Sequence, residues 1–240
     1  VLQLASSKLE EMNDVNISTA LHRICRACQG RPDMAQQIKS HADFQRLVRA
    51  AEKLLADPKK MAAKCCTVIA WSLASLRIFK ASLFGRLAER LAASADLSRC
   101  EPYEITNLLW AYAVLCRQRR NLGGELLAAV QALSATLTEI LRRASTWKTQ
   151  VLVSALVSLA VLPWQSSSLP VFISILDELF KRQELTEENA RPLKICFEEL
   201  QKRQKEAYSH ITAIICTKFP AFLKFVGGHE QKSALSNRKR

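Results

Sequence analysis

Cys25-Arg26-Ala27-Cys28 offers two thiols at the spacing a metal or a redox couple uses. A structural zinc site needs four ligands in a tetrahedral array. His22 lies close in sequence, but no second pair with metal spacing follows, and Cys65-Cys66 are adjacent. Thioredoxin-like chemistry needs a βαβ setting, which this chain lacks. The four histidines, at 22, 41, 210 and 229, stand scattered with no nucleophile–base spacing around them. Gly123-Gly124 and Gly227-Gly228 lack the Lys-Ser/Thr of a phosphate loop. The expectation is a protein that is not an enzyme and needs no metal or cofactor.

Positive charge is the stronger chemical signal. Lys plus Arg number 35 and Asp plus Glu 22, a net +13. Residues 59–145 carry 13 basic and 6 acidic groups, and residues 191–240 carry 11 and 4, while 146–190 carry 3 and 5. A concentrated excess points to a polyanion partner, most often nucleic acid. Lys60 and Lys64, Arg99 and Tyr103, and Lys148 each stand just ahead of an apolar run. If those runs are helices stacked in register, their starts share one edge, where cations and first-turn N–H groups favour phosphate. Arg117, Arg119 and Arg120 make a denser cluster after the third such run. Asn107 lies one turn into that run, where a polar side chain can reach a base edge. Its equivalents Thr19, Val68 and Ser154 are not uniformly polar, so no base code is expected. The end, Arg238-Lys239-Arg240, is either a basic arm on a nucleic-acid backbone or an unstructured solubilising tail.

The elements that would position these groups are helices. Gly and Pro together number only 13 of 240, too few turn residues for a β sandwich or barrel, and no alternation of period two persists. Four segments share a pattern: 17–25, 66–76, 105–115 and 152–162. Aligned, His22, Trp71, Trp110 and Val157 share a column, at spacings suited to helical hairpins with variable loops. Residues 67–76 carry no charge, as in a helix buried on both sides. Trp71 and Trp110 therefore read as core residues and repeat markers. Amphipathic stripes lie between: Phe44, Leu47, Val48, Leu54 and Leu55; Leu83, Leu87 and Leu91; Val171, Ile175, Leu176 and Leu179. Asp43 and Thr186 read as N-caps, Pro102 as a first-turn proline, and Pro192 as a breaker. The fold class expected is all-α, an α-solenoid of stacked antiparallel helical hairpins. The array spans 1–226, with repeats at about 13–58, 59–98, 99–145 and 146–186, C-terminal helices at 187–226, and a basic flexible tail at 227–240. Most of the eight cysteines sit in apolar helical runs, which suits a reducing compartment. The best candidate for a membrane span, Val151 to Pro163, is too short, so no membrane partner is expected.

Glu104-Ile105-Thr106-Asn107-Leu108-Leu109-Trp110-Ala111-Tyr112-Ala113-Val114-Leu115 resembles the first helix of octotricopeptide and heptatricopeptide repeats, whose pattern runs N-L-L-W-A-L-A-K-L. Thr67 to Leu76 is a second, weaker match, and Thr19 to Arg23 looks like a further variant. The fourth segment departs from the pattern with Val157 in place of Trp. The RAP module such proteins often carry is not visible, which argues against a nuclease role borrowed from it. The resemblance implies a stack of helical hairpins that binds organellar RNA, in RNA processing or translation. A subunit of the mitochondrial ribosome is a special case that suits a short array. It implies a mitochondrial location, with the plastid as alternative, RNA and organellar or ribosomal proteins as partners, and no small-molecule substrate. The competing reading is a protein–protein interaction scaffold of the same architecture.

Overall fold

The computed structural model describes residues 2–57, 60–119, 121–182 and 186–218, and every regular element among them is helical. The helices are α1 (Leu2–Ser7), α2 (Asp14–Cys28), α3 (Pro32–Ser40), α4 (Ala42–Leu55), α5 (Ala63–Ser75), α6 (Ala81–Ala92), α7 (Pro102–Gln118), α8 (Gly124–Leu141), α9 (Thr149–Leu159), α10 (Ser168–Arg182), α11 (Glu187–Arg203) and α12 (Lys205–Lys218). The chain divides into two compact units, residues 1–140 and 141–240, with the boundary in the last turn of α8.

In the first unit α5 is central and packs against α2 on one side and α7 on the other. Its composition explains the position. Cys65, Cys66, Ile69, Ala70, Leu73 and Ala74 are buried around most of its circumference, and small Ala and Ser residues let neighbours come close. The three helices point the same way. Asp14 at the start of α2 accepts the Ala62 N–H ahead of α5 at 2.9 Å, and Lys64 in α5 pairs with Glu104 in α7 at 3.0 Å. At the other end Arg119, just past α7, donates to the Phe79 carbonyl just past α5 at 2.8 Å.

A second set of helices covers one side of this trio. The leucine stripe of α6 (Leu83, Leu87, Leu91) is fully buried, and α6 packs on both α5 and α4. α4 packs on α2. The Tyr112 side chain crosses from α7 to α6, where its hydroxyl donates to the Phe84 carbonyl at 2.8 Å and its ring meets Phe84 edge-on at 5.5 Å. α8 lies along α6. A Cβ added at Gly85 would meet Leu126 at 3.9 Å, and the Thr136 hydroxyl donates to the Ala92 carbonyl at 3.4 Å.

In the second unit α9 packs against α10 and α11, and α11 against α12. Val171, Ile175, Leu176 and Leu179 of α10 are buried, the stripe its sequence predicts, and Phe172 is buried beside them. The Cys196 thiol in α11 donates to the Leu156 carbonyl of α9 at 3.4 Å. Arg182, at the end of α10, donates to the carbonyls of Ser145 and Trp147 and pairs with Glu178 at 2.8 Å.

Several local expectations are corrected. Trp71 and Trp110 are half-buried rather than core. The N-cap of α4 is His41, whose Nδ1 accepts the Asp43 N–H at 3.2 Å, so Asp43 sits inside the first turn. Pro192 lies within α11 instead of ending it. The bond its missing N–H forfeits belongs to the carbonyl of Glu188, an exposed residue. Residues 13–58 hold three helices rather than a pair, because the short α3 follows Gly30. Gly30 takes φ +72°, which supplies the left-handed turn after α2. Leu54 is half-exposed; at about 100° per residue it falls at the edge of the α4 stripe. The longest apolar helix is α8, not the 151–163 segment. By length and composition alone α8 would suffice to cross a bilayer. Here it packs along α6, and Glu139 lies on its exposed side.

Candidate functional site

Three parallel helices with matched register present matched stripes. From α2 come Val15, Thr19, His22 and Arg26; from α5, Lys64, Val68 and Trp71; from α7, Tyr103, Asn107 and Trp110. Residues at i, i+4, i+7 and i+11 share one helix face, so each set stands in line. Side by side they form one groove of about 620 Å³, with Trp110 continuing its stripe beyond the lining. Tyr103 is 55% exposed, and the His22 and Trp71 rings meet at 5.4 Å, inclined by 41°.

This surface offers ring faces, two cations, one amide and, in its lining, the Glu104 carboxylate that pairs with Lys64. Ring faces stack on planar ligands, cations attract anions, and Asn107 can both donate and accept. Nothing in it pairs a nucleophile with a base. Cys65 in the lining is a buried thiol whose pKa is raised, first by desolvation, which keeps it from acting as a thiolate near neutral pH. Cys25 and Cys28 are both buried in α2, with their thiols raised by the same cause. Among the described residues no three His, Cys, Asp or Glu side chains gather as a metal site would require.

The starts of α2, α5 and α7 lie along one edge of the first unit, but side chains already occupy much of it. Asn13 accepts the Asn16 N–H at the start of α2 at 2.9 Å. Asp14 takes the Ala62 N–H at the start of α5, and Glu104 takes the Glu101 N–H at the start of α7, each at 2.9 Å. Glu104 is only 4% exposed, so its carboxylate needs full pairing. Lys64 supplies it, and the hydrogen bond and charge of Glu104 raise the Lys64 pKa. Lys64 is thus a tie between helices as well as a cation at the groove.

The other expected residues are dispersed. Tyr103 and Asn107 line the groove with Lys64. Lys60 lies elsewhere, paired with Asp57 at 3.5 Å in a different depression of the first unit. Arg99 is exposed and pairs with Asp96 at 3.2 Å. Arg117 is half-buried at the end of α7, and Arg119 is held by the Phe79 carbonyl. Lys148 belongs to the second unit, exposed at the N-cap of α9. Arg120, Arg238, Lys239 and Arg240 lie outside the described residues, as does the tail at 227–240.

His22, Arg26 and Trp71 enter the groove although sequence reasoning placed none of them in a site. The absence of charge in 67–76 argued for burial on every side. The signal that could have found them is the shared spacing: Trp71 is i+7 from Lys64, and Trp110 is i+7 from Tyr103. Comparisons with protein-family models, curated proteins and solved structures find nothing that matches this chain.

Proposed function

We propose that this chain is an α-solenoid of helical hairpins that binds single-stranded RNA without catalysis, in the RNA metabolism or translation of an organelle. The observation that supports it best is the ring-lined groove across α2, α5 and α7. Tyr103, Trp71 and His22 offer stacking faces, Asn107 a base-edge partner, and Arg26 and Lys64 positive charge. Base–aromatic stacking contributes about 1–3 kcal/mol per base and tolerates any sequence. Cations beside such faces neutralise the connecting phosphates. The net charge of +13 favours the same class of ligand. The organellar setting, mitochondrial with the plastid as alternative, rests on the resemblance of residues 104–115. A place in the mitochondrial ribosome is its most specific form.

The test is binding to a labelled single-stranded RNA pool at about 50 and 200 mM salt, with duplex DNA as competitor. Affinity is expected to fall by orders of magnitude with salt and to resist the DNA. Tyr103→Ala alters an exposed side chain and is expected to weaken binding by about 5- to 160-fold, the loss of one stacked base. Equal competition by DNA, together with an unchanged affinity for Tyr103→Ala, would overturn the proposal.

A further inference from the structure

A second groove of about 480 Å³ lies in the first unit, between α4 and the segment leading into α2. Its chemistry differs from that of the ring-lined face. The half-exposed part of its floor is apolar: Leu9, Met12, Ala50 and Leu54. Its rim is cationic: Arg46, Arg49 and Lys53 from α4, with Lys60 from the following loop. Glu10 is the one acidic side chain in the lining, and no aromatic ring enters it.

We infer that this groove docks an amphipathic helix of a partner protein that carries carboxylates beside an apolar ridge. The spacing on α4 is the first argument. Arg46, Arg49 and Lys53 stand at i, i+3 and i+7, a ridge about 10 Å long. Ala50 and Leu54 stand at i and i+4 on the adjoining strip, between the cations and the buried stripe of Phe44, Leu47 and Val48. Apolar side chains flanked by charge are what one helix presents to another across a groove.

Charge complementarity identifies the occupant. Four cations against one carboxylate repel a basic helix and attract an acidic one. The acids that pair with two of these cations are close but solvent-accessible. Arg46 meets Asp43 at 3.6 Å and Lys60 meets Asp57 at 3.5 Å. Pairs of this kind, with the cation exposed and the acid half-exposed, are weak, so a partner's carboxylates can take their place. Met12 adds an unbranched, adaptable side chain to the floor. A nucleic-acid backbone would use the rim alone and leave the floor in water, whereas an amphipathic helix covers both. This inference does not depend on RNA binding, which rests on the ring-lined groove.

The test uses the full chain and three labelled probes: an acidic amphipathic helical peptide of about 14 residues with leucines at i, i+3, i+4 and i+7, the same peptide with serine for every leucine, and a poly-uridine RNA of equal charge. The leucine peptide is expected to bind at least about tenfold more tightly than the serine peptide. Arg49→Glu with Lys53→Glu is expected to weaken it by at least about tenfold. A control pair, Arg23→Glu with Arg86→Glu, makes the same charge change on exposed residues outside this groove and is expected to leave the peptide affinity within about twofold. All four substitutions fall on exposed side chains, and circular dichroism checks that each variant folds. Leu54→Gln gives a second readout, since it dries out nothing and keeps every cation, yet is expected to weaken the leucine peptide and not the RNA. The inference is overturned if the leucine peptide fails to bind, if both variant pairs weaken it equally, or if the serine peptide or the RNA is as sensitive to Arg49→Glu/Lys53→Glu as the leucine peptide. The last outcome would make the rim a general polyanion surface. Loss of RNA binding in Tyr103→Ala with peptide binding intact would separate the two grooves.

Discussion

α7 and α9 expose the same stripe in different chemistry. In α7 the outward positions are Tyr103, Asn107 and Trp110; in α9 the aligned positions are Gln150, Ser154 and Val157, exposed or half-exposed likewise. The helical period fixes which positions face outward, and residue type then decides what the face can bind. The first unit gained rings and cations at those positions, and the second has neither. The ties differ too. The first unit joins its helix starts through Asp14 and the Lys64–Glu104 pair, with a buried carboxylate at the centre. The second joins its elements through donors aimed at backbone carbonyls, from Arg182 and Cys196, a kind of tie the first also makes through Tyr112 and Arg119. A buried carboxylate is unforgiving of a lost partner, whereas the carbonyls that Arg182 meets lie near the surface and can turn to water.

The largest expected effect is alkaline weakening of the first unit. Burial pushes the Cys66 thiol from its ordinary 9.0 up to about 12. A raised folded-state value means that this stability is fully present below pH 9 and is lost as pH rises toward 12. Three pH units correspond to about 4 kcal/mol. Thermal melts across that range should therefore fall steeply, and Cys66→Ala should flatten the slope. An unchanged slope in Cys66→Ala would assign the pH response to other groups.

Breaking the ties sharpens the contrast. Lys64→Met strands the Glu104 carboxylate and should cost about 1–3 kcal/mol, with faster hydrogen exchange in α5 and α7. Adding Glu104→Gln should recover part of it, because a neutral amide can still accept the Glu101 N–H. Arg182→Met in the second unit should cost about 1–2 kcal/mol, read in the chemical denaturation of α9 and α10, since water can replace the guanidinium at the carbonyls. Equal losses at Lys64 and Arg182 would erase the distinction drawn between the two kinds of tie. The smallest effect belongs to Val157→Trp. At a half-exposed position it should change stability by no more than about 0.5 kcal/mol, whereas a core position would be overpacked by about 1–3 kcal/mol.

Much of the helical content was legible because long stretches lack breakers and keep a period near 3.6. The stripes of α6 and α10 are buried where the leucine and isoleucine spacing placed them. Boundaries were less legible. His41 caps α4 through a ring nitrogen, a choice composition does not announce, and Pro192 sits within α11 where the carbonyl left without its N–H belongs to the exposed Glu188. The groove was legible only in pieces. Tyr103, Asn107 and Lys64 stand out by type, while Trp71 reads as interior because residues 67–76 carry no charge, and His22 shares its aligned column.

Sequence alone determined that the described chain is helical and which residues of each helix share a face, because both follow from short-range spacing and the scarcity of Gly and Pro. It also determined the positive charge. Only the tertiary structure decided that α2, α5 and α7 lie parallel, that Lys64 serves Glu104 forty residues away, and that Lys60 and Lys64 belong to different grooves. Those outcomes depend on which helix covers which apolar surface, and on where a buried charge finds its partner. Both are long-range choices made by packing.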